Sequence, residues 1–339
     1  MNKKTVLLLI QYAVFFGLGF ALIYGQYKQL TPADMADLRA SVDQVSQRWW
    51  IFIPIVIVGF LSHFFRALRW KLMLESLNIR PSVLNITGAV FIGYITNLLI
   101  PRMGEVAKCT VMAKYENEPA DKLIGTIVAE RAFDMVCLLL ICVLTFLVQM
   151  DVVTAYLQHL SGQLAGKNLP LLVAAGIAGL LALIGGLVFI YRRNKDGKIG
   201  KFIKGLAEGV GSILTLKRRG AFLGYTFLIW GSYLFLIVLG FWGLPATEGL
   251  TIGAALSVLV FGSLGMIVTP GGLGAYPQAL QLVLSMLYAV PASFALAFGW
   301  ISWLAQTLII LVFGLIALFV LPLYNRARHE QTPVDPAKN

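Results

Sequence analysis

The sequence predicts an all-α polytopic integral membrane protein built as two halves of inverted topology. Three observations carry this reading. Hydrophobic residues make up 58% of the 339-residue chain and charged residues only 13%, which excludes an ordinary soluble domain. Several apolar runs reach the ~20 residues that a helix needs to span a bilayer. Two interrupted apolar stretches also match: Gly93 to Pro101 and Gly262 to Pro270 each run glycine, seven residues, proline, with a glycine close behind. The alternating strands of an outer-membrane barrel are absent.

The first half covers residues 1–165. Lys3 and Lys4 precede an apolar run from Thr5 to about Tyr24, read as an uncleaved first helix with its N-terminus inside. Thr31-Pro32 is an N-cap with proline at the first helical position. Met35, Leu38, Val42 and Val45 follow at helical spacing, which predicts a short amphipathic helix on the outer face. Trp49 and Trp50 would anchor the interface, and the second span runs from there to about Leu68. Arg66, Arg69, Lys71 and Arg80 mark its inner end. The first interrupted segment predicts a hairpin at about residues 84–118. A long helix from Asp121 to Met150 follows, with its charges in the first half, and then a charge-poor outer loop.

The second half covers residues 166–322. Asn168 to Tyr191 is the next span. Arg192 to Arg219 holds nine basic residues against two acids, so this loop is cytoplasmic. Apolar positions inside it predict an amphipathic helix at about 197–215, lying on the inner leaflet. Ala221 to Trp242 spans outward, a second hairpin is expected at about 250–289, and the last helix runs from Ser293 to Leu321. Residues 323–339 read as a disordered cytoplasmic tail. Crossing parity is met if each half is span, span, hairpin, span, with three spanning helices and one broken or re-entrant hairpin; three full crossings would meet it too. Broken helices at corresponding places in two inverted halves point to a transport site.

The net charge of +11 lies between membrane segments, so it is read as topology and attraction to anionic lipid rather than nucleic-acid binding. The three cysteines form no CxxC pair and read as buried apolar residues. No catalytic constellation appears: there is no HExxH, GxSxG, P-loop or dinucleotide fingerprint. No enzymatic activity, metal or cofactor is expected. Charged groups inside membrane segments are rare and mark function. Glu130 and Asp134 are four residues apart, and Arg131 is three before Asp134. A local Arg131–Asp134 pair would leave Glu130 to engage Arg102, Arg66 or a substrate cation, and Glu130 is the candidate coupling residue; alternatively, these charges are an ion-pair lock between helices. Arg66 and Arg69, three apart on one face, suit a phosphodiester. Alternatively, they are a positive-inside flank. Gly271, Gly272 and Gly274 would let a ligand approach free backbone N–H groups. Asn97 would satisfy backbone freed at the first break.

The motifs FFRALRWKLML, GYITNLLIPRMGEVAK, VAERAFDM and VTPGGLGAYP occur in this order. Together they resemble the transmembrane flippase-like domain of lysylphosphatidylglycerol synthases and its stand-alone relatives, over about residues 45–322. The resemblance implies a helical domain that moves a lipid, or a polyprenyl-linked headgroup, between leaflets. The positions carried over are Arg66, Arg69, Asn97, Pro101, Arg102, Gly104, Glu105, Glu130, Arg131, Asp134, Pro270, Gly271, Gly272 and Gly274. Tyr276-Pro277 stand where relatives often carry an acid, which weakens any inference of a cationic headgroup. The sequence ends 18 residues after Leu321, so the soluble aminoacyl-transferase domain of the full synthases is not expected.

The expectation is therefore a translocator of an anionic phospholipid or polyprenyl-phosphate-linked lipid, in a bacterial-type inner membrane. Both termini would be cytoplasmic, and a homo-oligomer is compatible. The two hairpin tips and the charged residues would share one midplane cavity. A small-solute secondary transporter, an intramembrane transferase and a non-transporting scaffold are the alternatives.

Overall fold

The computed structural model describes residues 3–100, 103–155, 211, 213 and 216–331. The expected span at 168–191 and nearly all of the basic helix at 197–215 lie outside them. Among the described residues every regular element is a helix. Helix α1 is Lys3–Gln29, α2 Pro32–Gln47, α3 Phe52–Ser76, α4 Val83–Leu99, α5 Gly104–Glu116 and α6 Ala120–Val148. After the gap, α7 is Arg219–Gly243, α8 Ile252–Val268, α9 Ala275–Tyr288 and α10 Ala292–Gln331. Among the described residues four helices are long and apolar enough to cross a membrane: Trp49–Ser76, Lys122–Val148, Arg219–Gly243 and Ala292–Arg328. Helices α4 and α8 are shorter apolar helices of 17 residues each. Leu139, Leu140, Val143 and Leu147 stand exposed along α6. Such a face is costly in water and at home in lipid. The chain is a multi-pass membrane protein.

Local chemistry explains the helix ends. Thr31 and Asp34 form a capping box at α2: the Thr31 hydroxyl accepts from the Asp34 N–H at 3.2 Å, and the Asp34 carboxylate accepts from the Thr31 N–H at 2.9 Å. Ser82 caps α4 by accepting from the Asn85 N–H at 3.1 Å, and Thr251 caps α8. Helices α5 and α9 stop at Asn117 and Ala289, both left-handed. The expected apolar face of α2 needs one correction. Val42 is exposed and Ser41 is buried, because α2 docks on the start of α10, where the Ser293 hydroxyl donates to Asp37 at 2.7 Å.

The α2 box supports a prediction. Hydrogen bonds from Thr31 hold the Asp34 carboxyl below its ordinary range. A carboxyl depressed on folding stabilises above its unfolded pKa, ~3.9, and loses that contribution as pH falls through its folded value. Amide protection in the first turn of α2 is expected to fall in Thr31→Ala at neutral pH, and in the wild type below about pH 4. Unchanged hydrogen-exchange protection in both cases would contradict the box.

Helices α3 and α7 pack antiparallel. Arg48, just before α3, donates to the Trp242 carbonyl at 2.6 Å and pairs with Glu248 at 3.0 Å. At the other end Arg218 lies 3.8 Å from Glu75. Helices α4 and α5 form a hairpin. At its tip the Gly104 N–H donates to Asn97 at 2.7 Å; at its base Glu116 accepts from the Ser82 N–H and the Asn85 amide. Helices α8 and α9 form another, turned by Pro270–Gly272 and closed at its base by Ser257 and Tyr288, 2.7 Å apart.

Each base is tied to a long helix. Asn85 and Asn325 exchange amide hydrogen bonds at 2.9 and 2.7 Å, and Arg328 reaches Glu116 at 3.3 Å. Tyr288 donates to Gln149, at the end of α6, at 3.0 Å. The two hairpins therefore open towards opposite ends of the molecule, the Arg328 end and the α2 end. Their tips meet where Leu98 packs against Gly271.

The last helix does not stop at Leu321. It passes Pro322 and continues to Gln331, so residues 323–331 are helical rather than a disordered tail. A proline removes one backbone bond, which is tolerated where neighbours satisfy the freed groups. Just past the proline, buried Asn325 donates to the Leu321 carbonyl at 2.8 Å while exchanging amide hydrogen bonds with Asn85, which ties the continuing helix to α4.

Candidate charged site within the helix bundle

Arg66 and Arg69 stand on one face of α3 because they are three residues apart, and Glu130 and Asp134 on one face of α6 because they are four apart. Arg66 donates to Glu130 at 3.1 Å and to Asp134 at 2.6 Å. Arg69 donates to the same two carboxylates at 3.1 and 2.7 Å. From α5, the Lys108 ammonium reaches the other Glu130 oxygen at 2.9 Å. Helix α7 completes the shell: Tyr233 accepts from Arg66 and Thr226 from Arg69, each at 3.3 Å. The Lys108 Nζ lies over the Trp70 ring, 3.9 Å from its centroid, and Trp70 is fixed by its own bond to Thr126 at 2.8 Å. A desolvated cation gains most from such a ring.

Burial sets the energetics. Glu130 and Arg69 are fully buried and Arg66 nearly so. Taking isolated charges out of water costs several kcal/mol each, so they persist only when paired and hydrogen-bonded. Two carboxylates one turn apart would repel each other; the guanidinium groups between them remove that repulsion. Arg66 and Glu130 are each ten residues from a helix end, or about 15 Å along the axis. That is about half of a ~30 Å hydrocarbon core.

Arg131 differs from the rest. Its side chain is 41% exposed, and its approaches to Glu130, Asp134 and Glu105 are 3.6, 3.9 and 3.9 Å, too long for hydrogen bonds. The expected local Arg131–Asp134 pair is thus loose. Asp134 is held instead by the two α3 arginines, each of which donates from one nitrogen to a different carboxylate oxygen across the helix interface. Glu130 is not left over for a substrate cation either, since both its oxygens are occupied. Four cations surround two buried carboxylates, with Glu105 at the exposed edge. The cluster carries surplus positive charge.

Other predicted positions have different surroundings. Asn97 and Gly104 close the first hairpin tip. A side chain on Gly104 would overlap the Gly93 carbonyl and Asn97. Gly271, Gly272 and Gly274 have φ of 59°, 74° and 73°, a conformation that glycine adopts without strain. Their tip packs on α1 and α10: the Gly271 carbonyl accepts from Trp303 at 2.7 Å and the Gly274 carbonyl from Gln26 at 3.0 Å. No hydrogen bond among the described residues joins this tip to the charged cluster. Arg102 and Pro101 lie outside the described residues. Lys108 was absent from the sequence reading. Its signal was the spacing Gly104, Lys108, Met112, which puts all three on the buried face of α5. Among the described residues, no three His, Cys, Asp or Glu side chains converge as a metal-ligand set would.

A family model described as the lysylphosphatidylglycerol synthase TM region matches residues 8–314 of the chain. No curated protein and no solved structure matches it.

Proposed function

The chain belongs to the lysylphosphatidylglycerol synthase transmembrane-region family, and from that premise we propose that it is a lipid translocator. The cargo is an anionic phospholipid or a polyprenyl-phosphate-linked lipid. The observation that carries this reading is the mid-bundle cluster with more cations than carboxylates, edged by a half-exposed Arg131 that no carboxylate engages at hydrogen-bond distance. A guanidinium fork matches a phosphate ester bidentately. Arg131 would take the phosphate while Arg66, Arg69 and Lys108, fixed on Glu130 and Asp134, supply the field. Acyl or prenyl chains would stay in lipid as the headgroup crosses.

The two hairpins support an inverted repeat whose halves rock about their meeting tips. Lys71, Arg80, Lys122, Lys217, Arg218, Arg219 and Arg326 lie towards the Arg328 end. The described basic residues at the α2 end are fewer, Lys28, Arg39 and Arg48. The positive-inside rule then makes the Arg328 end cytoplasmic, with both chain termini inside, in a bacterial-type inner membrane. The protein acts without chemistry on its cargo, as a monomer or homo-oligomer.

The test is leaflet-resolved movement of fluorescent phospholipids and a short polyprenyl phosphate in proteoliposomes. Wild type is expected to move one anionic class, and Arg131→Gln to slow it at least about tenfold, as the loss of a charge-assisted contact does, with an unchanged melting temperature. Folded wild-type protein that moves no lipid would overturn the proposal. A second reading, a non-transporting scaffold, draws on the saturation of Glu130 by Arg66, Arg69 and Lys108; it predicts no movement in the same assay.

A further inference from the structure

A second polar feature lies away from the charged cluster, at the α2 end. Helices α1, α2, α9 and α10 enclose a crevice of about 290 Å³ whose polar wall is Gln26, Gln29, Asp34, Gln278, Gln281 and Ser293. Four of these six side chains are primary amides. None is a cation, in a chain with 27 lysines and arginines. Asp34 is committed to Thr31 and the Ser293 hydroxyl to Asp37, so the only formal charge at the wall is negative.

The floor is built. Gln26 is buried; its amide donates to the Gly274 carbonyl at 3.0 Å and accepts from the Trp300 indole at 3.2 Å. A primary amide offers two donor hydrogens and two acceptor lone pairs, so Gln26 keeps one of each. Gln281 is steadied by a bond to the Ala292 carbonyl at 3.3 Å. Gln29 and Gln278 are exposed, and no hydrogen bond among the described residues holds either amide.

We propose that this crevice binds a neutral, hydroxyl-rich group, a sugar or polyol. Hydroxyls are both donors and acceptors and pair with amides on either side, whereas a phosphate needs donors only and would face the Asp34 carboxylate without a cation to offset it. An ammonium group would use the amide oxygens and the Asp34 carboxylate, already engaged by Thr31, and would leave the amide N–H groups of the wall unpaired. The ligand is either a glycolipid headgroup or a free polyol. The inference does not rest on translocation, since Arg131 and its partners take no part in it.

The test uses the full chain in nanodiscs. Native mass spectrometry would compare retention of a monoglucosyl diacylglycerol with that of phosphatidylglycerol, and saturation-transfer NMR would measure binding of free methyl glucoside and myo-inositol. Preferential retention of the glucolipid with no signal from the free polyols assigns a lipid headgroup. Signal from the free polyols assigns a soluble ligand of the same class. Gln29→Leu with Gln278→Leu is expected to lower the bound signal about tenfold, as the loss of two amide hydrogen bonds does. Gly25→Leu adds a check independent of the amides: a side chain there meets open space, fills the crevice and favours the helix. Equal retention of both lipids with no polyol signal, or binding that survives Gly25→Leu and the double variant, overturns the assignment.

Discussion

Glu130→Gln is expected to destabilise the protein by about 3–5 kcal/mol, the cost of removing one partner from a buried ion pair. Glu130 is fully buried and accepts from Arg66, Arg69 and Lys108. A glutamine keeps one acceptor and turns an N–H₂ towards groups that only donate. Asp134 would then face four cations alone. Unfolding of the purified protein in detergent measures the loss, and Lys108→Met in the same background should restore part of it by removing the least well compensated cation. A single variant within about 0.5 kcal/mol of wild type, the range of ordinary surface substitutions, would show that water or lipid already solvates the cluster. For the same reason Glu130 is a poor probe of transport. A variant that fails to fold says nothing about cargo, and the half-exposed Arg131 is the better choice.

Gly104→Ala is expected to cost about 1–3 kcal/mol, as overpacking does, and more if the tip opens. The added methyl would overlap the Gly93 backbone carbonyl, which cannot swing aside as a flexible side chain can, and it would push Asn97 off the Gly104 N–H. Asn97→Ala separates the two effects. It leaves that N–H unsatisfied without crowding, at about 1–3 kcal/mol. Gly125→Ala is the control: nothing lies near its Cβ position, so a helical alanine there should be neutral or stabilising. If thermal unfolding ranks Gly104→Ala with Gly125→Ala, the close hairpin packing is wrong.

Much of the fold was legible because it is local. Helix length follows from apolar run length, and the start of α2 from Thr31, Pro32 and Asp34. The two breaks follow from proline and glycine at matching places. The pairing of Arg66 with Arg69, and of Glu130 with Asp134, on single helical faces follows from the 3.6-residue period. Where the reading failed, the deciding partner was distant in sequence. Ser41 rather than Val42 faces inward because α10 packs there, some 250 residues away. The last helix outlasts Leu321 because Asn325 finds Asn85.

The charged site shows the same division. The sequence by itself determined which residues are charged at membrane depth and which of them share a helix face. Only the tertiary structure decided who pairs with whom. The rotation of α3 and α5 about their axes delivers two guanidinium groups and the Lys108 ammonium to α6, so Asp134 belongs to α3 rather than to its neighbour Arg131. Helical period is a property of a few consecutive residues. The relative rotation of two helices is set by packing along their whole shared surface, and no short stretch of sequence contains it.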